Sequence, residues 1–548
     1  MEVVKDAGKV GKEKHPRKVD TWLNYGTAGF RARAELLDHV LYRIGLLAAL
    51  RSKSKGGVTI GVMITASHNP ECDNGVKLVD PAGEMLEASW EKHAAHLANV
   101  NDADVSECLK SLIAALAIDL TIQPNIVFAR DTRPSSEVLA QSLRDGLDVM
   151  QTHYTDYGVL TTPQLHYMVR CHNTKGQYGE ATEDGYYKKL STAFINLRGQ
   201  KSVSGHYQPH ICIDGANGVG ALKMAQMMTY LKETITVDVY NDGKQGKLND
   251  QCGADYVKIQ QMAPQGLTLG LGMRCASFDG DADRIVFYYL DQGEKFCLLD
   301  GDKIATLIAG YLKELVTQSG LDLDLGLVQT AYANGSSTRF INNKLHVPVA
   351  CVPTGVKHLH QRALQFDIGV YFEANGHGTV LFSEKAEKKV KELIIGTGVP
   401  EDQRLAALRL SAVIDLINQT VGDAVSDLLL VETVLLDKGW SIADWNAAYT
   451  DLPNRQLKVK VKDRTVIQTT DAERRATAPA GLQTEIDNLV ALYNEARAFV
   501  RPSGTEDIVR IYAEADTRTN ADKLAYEVSV QVYQLAGGIG KMPTPPTS

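Results

Sequence analysis

The stretch ASFDGDADRIVFYYL, residues 276–290, sets three carboxylates, Asp279, Asp281 and Asp283, between two apolar runs suited to paired strands. Carboxylates crowded this closely repel one another unless a cation sits among them. Gly280 and the small Ala282 permit the tight backbone that aims all three at one point. Hard divalent cations take such oxygen ligands, so the stretch predicts a metal loop at the turn of a strand pair. An EF-hand also begins DxDxD, but its sixth position here is Arg284 rather than Gly and its twelfth is Leu290 rather than Glu. That loop type is excluded.

Upstream of this pair, PHICIDGANGVGALKMAQMM predicts a strand, a glycine-lined turn and a helix. The glycines of Asp214 to Gly220 do not fit the spacing of a dinucleotide loop, and they predict a turn packed near the metal loop. Nearer the N-terminus, helix AELLDHVLYRIGLLAALRSKS, strand VTIGVMIT, strand PNIVFAR and helix SEVLAQSLRDGLDVM alternate. Such alternation implies βα units on a mixed or parallel sheet. Residues 172–208 read as a connection, and the first twenty residues as polar and loose. A third α/β unit opens near Asp300, and from about 440 the pattern becomes β-rich, with RQLKVKV and IVRIYAEA. The tail GGIGKMPTPPTS cannot continue a helix and reads as frayed. The fold class is therefore α/β, with three similar mixed-sheet domains (1–190, 191–296, 297–438) and a C-terminal α+β domain (439–548).

A chain of 548 residues is too long for one core, in keeping with several domains. Net charge is −8, so positive charge for a small anionic substrate has to be concentrated locally, and no nucleic-acid surface is expected. No run of about eighteen apolar residues exists, and the charged N-terminus lacks an apolar signal segment. The eight cysteines are scattered without a CxxC pair, which fits reduced thiols in the cytoplasm rather than disulfides or a zinc site.

Three more loops carry candidate chemistry. Thr65-Ala66-Ser67-His68-Asn69-Pro70 follows a strand and presents Ser67 on a frame stiffened by proline, with Lys77 shortly after. It lacks the GxSxG elbow of acyl hydrolases. Arg501-Pro502-Ser503-Gly504-Thr505 gathers a guanidinium, two hydroxyls and an unhindered amide into a set of phosphate donors. Arg510, opposite in facing to Val509 and Ile511, can reinforce that site. Glu373, Ala374 and Asn375, in FEANGHG after an apolar strand, suit recognition of sugar hydroxyls. His93 and His96 fall in a polar helical stretch without a third ligand and read as surface residues.

Together these loops resemble, in order and over almost the whole chain, the α-D-phosphohexomutase family. TASHNP is similar to its phosphoserine loop, DGDADR to its metal loop, FEANGHG to its sugar loop and RPSGTEDIVR to its phosphate loop. Gly26-Thr27-Ala28-Gly29-Phe30-Arg31 is similar to its N-terminal signature. Arg130 to Ser136 lies after the serine loop and the sugar loop reads EANG, both of which resemble the eukaryotic branch acting on N-acetylglucosamine phosphates. The resemblance implies four domains around a central cleft, the last TATA-binding-protein-like. It implies interconversion of N-acetylglucosamine 6-phosphate and 1-phosphate through a phosphorylated Ser67 and a sugar 1,6-bisphosphate, toward UDP-N-acetylglucosamine. Mg²⁺ would be held by Ser67, Asp279, Asp281 and Asp283, while Arg31, Lys77 and Arg284 would serve the reacting phosphate. Thr354 and Gly355 resemble a further substrate loop, and His68 and Lys77 both remain open as proton acceptor. A phosphoglucomutase or phosphomannomutase, a metal-dependent phosphatase and a non-catalytic sugar-phosphate-binding relative stay as alternatives. The expected partner is a small hexosamine phosphate, with no membrane, nucleic acid or obligate protein.

Overall fold

A computed structural model describes residues 2–545 except 19, 27, 28, 200–202, 232 and 505. The chain forms two compact units. The first comprises Met1–Asp300, Asn375–Val380 and Leu408–Ala443; the second comprises Gly301–Ala374, Leu381–Ala407 and Asp444–Ser548.

The first sheet contains β1 (Phe30–Arg33), β2 (Thr59–Ile64), β3 (Asp73–Val79), β4 (Asn125–Arg130) and β5 (His153–Val159), in the order β1-β3-β2-β4-β5. β2, β4 and β5 run parallel, and β3 is antiparallel to both β1 and β2. Ile60, Val62, Met63 and Ile64 are all buried, which explains why the central strand reads as a continuous apolar run. Helix Asp38–Ser54 crosses helix Ser136–Val149 where a Cβ on Gly146 would stand 2.2 Å from the Tyr42 carbonyl oxygen.

Two polar stretches proved more ordered than their composition suggested. Residues Glu2–Lys14 form a helix that buries Val4, Ala7, Gly8 and Gly11, so the N-terminus is not loose. The following chain is pinned by His15 to Asp38 and Asp145, and by the Arg17 N–H to Asp102. Within 172–208, Glu183–Arg198 is a helix whose Tyr186, Leu190, Ala193 and Leu197 form a buried stripe at helical spacing. Its N-cap Thr182 accepts the N–H of Gly185. Polar flanks masked that stripe.

The second sheet contains β6 (His210–Asp214), β7 (Thr236–Tyr240), β8 (Cys275–Phe278), β9 (Ile285–Leu290) and β10 (Phe296–Leu299), in the order β10-β9-β8-β6-β7. β8 and β9 are antiparallel with Phe278 opposite Ile285, so the three aspartates occupy the intervening hairpin loop. Leu408–Ala443 packs within this unit although its sequence position is beyond the third sheet; Glu432 there pairs with Arg274 and accepts from Tyr207.

In the second unit, β11 (Leu325–Thr330) lies between parallel neighbours β12 (Val349–Val352) and β13 (Ile368–Phe372), while β14 (Gly378–Phe382) straddles the division of the chain. β15 (Asn454–Lys460) opens the last module, β16 (Gln468–Thr470) and β17 (Arg475–Ala478) form a hairpin, and β18 (Arg497–Pro502) and β19 (Ile508–Glu514) complete an antiparallel sheet ordered β15-β19-β18. Helix Arg518–Leu535 packs Leu524, Val528 and Val532 onto Val500, Val509 and Ile511. Beyond that helix, the N–H of Ile539 bonds the Lys460 carbonyl at 2.9 Å, so the tail is tied at least this far rather than frayed. Among the described residues no helix is long and apolar enough to cross a membrane.

Candidate active site

Asp279, Asp281 and Asp283 are 0%, 0% and 5% exposed, and an oxygen from each lies within 4.8 Å of the others. Ala282 at φ 57° makes the sharp turn that converges them. The N–H groups of Asp283 and Arg284 reach back to Asp279 Oδ1 at 3.1 and 3.2 Å. Burial, then the charges of Asp283 and Asp281, push Asp279 well above the usual carboxylate range. Burial would also raise Asp283, but His377, Lys77 and Arg284 hold it well below that range. Among the described residues, Asp281 Oδ1 and Asp283 Oδ1 are buried without a hydrogen-bond donor, the latter with only the His377 and Arg284 nitrogens at 3.6 and 3.7 Å. Orphaned acceptors converging from three hard carboxylates fit a divalent cation.

The Ser67 hydroxyl donates to Asp279 Oδ2 at 2.7 Å, and the residue is completely buried. Its backbone is left-handed at φ 51°, a conformation that costs roughly 1–2 kcal/mol for a residue with a Cβ. The surroundings enforce it. Ser67 N–H donates to Thr65 Oγ1 at 3.0 Å, and Thr65 in turn donates to Asp131. The Ser67 carbonyl accepts from Arg133 at 3.1 Å and Asn249 at 2.8 Å, and the Asn69 carbonyl accepts from the same pair. A Cβ on Gly280 would stand 2.6 Å from the Ser67 carbonyl oxygen, so glycine is what lets the two loops touch.

Cations close the site within this unit. Lys77 Nζ lies 3.4 Å from Asp281 Oδ2 and 3.6 Å from Asp283 Oδ2. Gly29, at φ 93°, leaves room against Val76 and Lys77, and β1 then places Arg31 opposite Gly75. Burial and the nearby Arg284 push the Arg31 guanidinium downward, against the pull of the three aspartates. Arg284 Nη1 donates to Asp255 at 3.1 Å, with its Nε 3.8 Å from Asp279. His68 Nδ1 is 3.5 Å from Ser67 Oγ, and burial, then Arg284 and Arg31, push its pKa down to about 2. Thr162 donates to Asp281 at 2.6 Å. The glycine-lined turn packs against the metal loop, because a Cβ on Gly218 would lie 2.5 Å from the Gly280 carbonyl oxygen. Asn375 accepts the N–H of His377, whose ring bonds the Asp283 carbonyl at 2.8 Å.

The second unit holds the basic cluster. Arg501, Arg510 and Lys458 stand directly opposite one another across β18, β19 and β15. Like charges in that register destabilise a sheet unless an anion joins them. Ser503 is buried, its N–H bonded to the Ile508 carbonyl at 2.9 Å, and Arg464 donates to the Gly504 carbonyl at 3.2 Å. A Cβ on Gly504 would meet nothing within 4 Å. Glu473 Oε1 lies 3.5 Å from Arg501 Nε, and Glu473 Oε2 accepts the N–H of Thr354 at 2.9 Å and its hydroxyl at 2.5 Å. Gly355, at φ 131°, starts helix Val356–Ala363. Glu373 follows β13, and its carbonyl oxygen would lie 1.8 Å from a Cβ on Gly301. Pro502 closes β18 rather than belonging to the loop. Thr505, Thr27 and Ala28 lie outside the described residues.

Residues 178–286 and 300–440 match the models for phosphoacetylglucosamine mutase AMG1, domains II and III. Residues 46–103 and 95–178 match phosphoglucomutase/phosphomannomutase alpha/beta/alpha domain I, and 457–529 match the C-terminal domain of that group. A phosphoacetylglucosamine mutase of Sus scrofa is 58% identical over 95% of this chain and 96% of its own. The crystal structure of Aspergillus fumigatus N-acetylphosphoglucosamine mutase with GlcNAc-6P and magnesium is 48% identical, covers 97% of this chain and 99% of its own, and superposes with a TM-score of 0.92. A serine-to-alanine variant of that fungal enzyme with glucose 1,6-bisphosphate is 47% identical over 98% and 99% of the two chains, at a TM-score of 0.90. The chain belongs to the phosphoacetylglucosamine mutase family.

As in other phosphohexomutases, four domains with mixed α/β sheets make up the fold. Arg133, Asn249 and Thr162 buttress the phosphoacetylglucosamine mutase serine and metal loops here; Arg133 falls within the Arg130 to Ser136 stretch that carries part of the resemblance, whereas no local motif marked Asn249 or Thr162. Arg464, Lys458 and Glu473 were missed in the phosphate-loop region for the same reason. Alternation in RQLKVKV marked Lys458 as facing away from the core, which was the one available signal.

Proposed function

We propose that the chain interconverts N-acetylglucosamine 6-phosphate and N-acetylglucosamine 1-phosphate, with Ser67 carrying the transferred phosphoryl group. The observation that carries it is a buried serine hydroxyl 2.7 Å from Asp279 Oδ2, in a trio of buried carboxylates with orphaned oxygens. Phosphoryl transfer depends mostly on positioning and charge neutralisation. Asp279, Asp281, Asp283 and the phosphate on Ser67 would hold Mg²⁺, which supplies positive charge against the phosphoryl oxygens. Lys77, Arg31 and Arg284 add fixed positive charge at the same place.

The bond from phosphorus to Ser67 Oγ breaks as a bond to the substrate hydroxyl oxygen forms, giving a sugar 1,6-bisphosphate. Lys77 Nζ is already engaged by Asp281 and Asp283, at 3.4 and 3.6 Å. We therefore assign the hydroxyl proton to His68, whose neutral ring lies 3.5 Å from Ser67 Oγ. Two negative charges on a phosphorylated Ser67 would counter the downward push on that ring. The bisphosphate then turns over, and Ser67 recovers a phosphoryl group from its other end. To the second unit we assign the grip on the non-reacting phosphate, through Arg501, Ser503, Gly504, Thr505 and Arg510, with Pro502 fixing the start of the loop. Glu373, Ala374, Asn375, Thr354 and Gly355 are assigned to the sugar.

The eight free cysteines support a cytoplasmic setting. The direct test is an isomerisation assay with N-acetylglucosamine 6-phosphate, Mg²⁺ and a trace of sugar bisphosphate. N-Acetylglucosamine 1-phosphate should accumulate to equilibrium, chelation should stop it and Mg²⁺ should restore it. Release of inorganic phosphate in step with substrate loss, or a higher kcat/KM for glucose 6-phosphate, would overturn the assignment.

A further inference from the structure

A second cluster of metal-ligand atoms lies in the first unit, away from the aspartate trio. His210, Cys212 and Asp238 offer one nitrogen, one sulfur and one oxygen, all within 4.8 Å of one another. The fold dictates that meeting. His210 and Cys212 are two residues apart on β6 and share a sheet face, while β7 runs parallel with Asp238 as the register partner of Cys212. His210 Nε2 already lies 2.8 Å from Asp238 Oδ2. On the other side of β6, Cys275 of β8 is also a register partner of Cys212, so a second thiol stands on the same face. Cys212 is 1% exposed, whereas the His210 and Asp238 side chains are 45% and 54% exposed, so the thiol forms the floor and the other two the open rim.

We propose that His210, Cys212 and Asp238 bind a borderline divalent cation such as Zn²⁺, with water as the fourth ligand. Mixed imidazole, thiolate and carboxylate donors suit tetrahedral Zn²⁺, whereas Mg²⁺ demands an octahedron of oxygens. β6 runs from His210 toward Asp214, which anchors the turn beside the metal loop by accepting from Gly253, Ala216 and Ser277. On the neighbouring strand, Cys275 opposite Cys212 stands four residue steps before Asp279, about 13 Å at strand spacing. The cluster is thus distinct from the trio and chemically orthogonal to it.

Co²⁺ is the probe, because thiolate coordination gives an intense near-ultraviolet charge-transfer band that all-oxygen sites cannot produce. The full-length protein, reduced and held in excess Mg²⁺, should bind one Co²⁺ with that band, and Zn²⁺ should displace it. The band should vanish in Cys212→Ser, and Co²⁺ affinity should fall at least tenfold in Asp238→Asn, a rim change expected to leave the fold and mutase turnover intact. Zn²⁺ should raise the unfolding midpoint of wild type more than that of Asp238→Asn, since it cross-links two strands of the folded state only. No band in protein with all eight thiols titratable would reduce the cluster to a His–Asp ion pair beside a buried cysteine. An undiminished band in Cys212→Ser, or unchanged affinity in Asp238→Asn, would also overturn the site.

Discussion

The serine and aspartate loops of the first unit and the segment 501–504 of the second, both assigned above to phosphate, are built in opposite ways. Ser67 sits at a strained φ with its hydroxyl, N–H and carbonyl all engaged, against a glycine that leaves no room to shift. Gly504 has open space around it, and the arginines flanking its loop face one another across adjacent strands with a carboxylate, Glu473, beside one of them. Bond making needs reacting atoms held to fractions of an ångström, so the first region is over-determined. A grip that must accept either of two phosphates and release both needs charge more than fixed geometry, and the openness of the second region suits that proposed role.

That contrast can be broken by substitution. The largest effect belongs to Ser67→Ala, which removes the group assigned to carry the phosphoryl: kcat should fall by at least about 10⁴-fold with the circular dichroism spectrum unchanged. Near-normal turnover would end its assigned role. A matched pair of glycine changes sharpens the comparison. Gly280→Ala should force the Ser67 carbonyl to move and lower kcat by about 10²-fold, while Gly504→Ala should leave both kcat and the unfolding midpoint nearly as they were. Equal effects at the two positions would erase the distinction between a fixed and a compliant region. Arg501→Ala, scored by steady-state kinetics, should raise KM about ten- to hundredfold, the scale of a lost charge-assisted hydrogen bond, with a smaller change in kcat. The opposite split, kcat down at constant KM, would move Arg501 into the reaction itself. The smallest effect is at Glu473→Gln. Losing a negative charge 3.5 Å from Arg501 should strengthen inhibition by inorganic phosphate by about threefold. Weaker inhibition would mean Glu473 orients Arg501 rather than competing with the anion.

What could be read from the sequence was whatever is contiguous. Asp279, Asp281 and Asp283 announce a cation because the repulsion they create lies within one turn, and residues 65–70 and 501–505 are equally compact runs of sequence. The alternation of strands and helices marked the α/β order and the change of pattern near residue 440. The buttresses could not be read this way. Arg133 lies 66 residues from Ser67 and Asn249 lies 182 away, so their bonds exist only once the first and second sheets have formed. The same applies to His210, Cys212 and Asp238: no spacing suggests a metal site, because the parallel pairing of β6 and β7 creates the juxtaposition. The helices Glu2–Lys14 and Glu183–Arg198 were hidden for another reason, since small residues and tyrosines amid lysines make a weak apolar stripe.

The central claim is that Ser67 gives up its phosphoryl group to the sugar and then regains one. It is tested most directly by labelling Ser67 with ³²P from a sugar bisphosphate, then chasing with unlabelled N-acetylglucosamine 6-phosphate in Mg²⁺. Label should leave the peptide containing Ser67 within a few turnovers and appear in sugar phosphate. Label that stays on the protein while product accumulates, or that emerges only as inorganic phosphate, would contradict it.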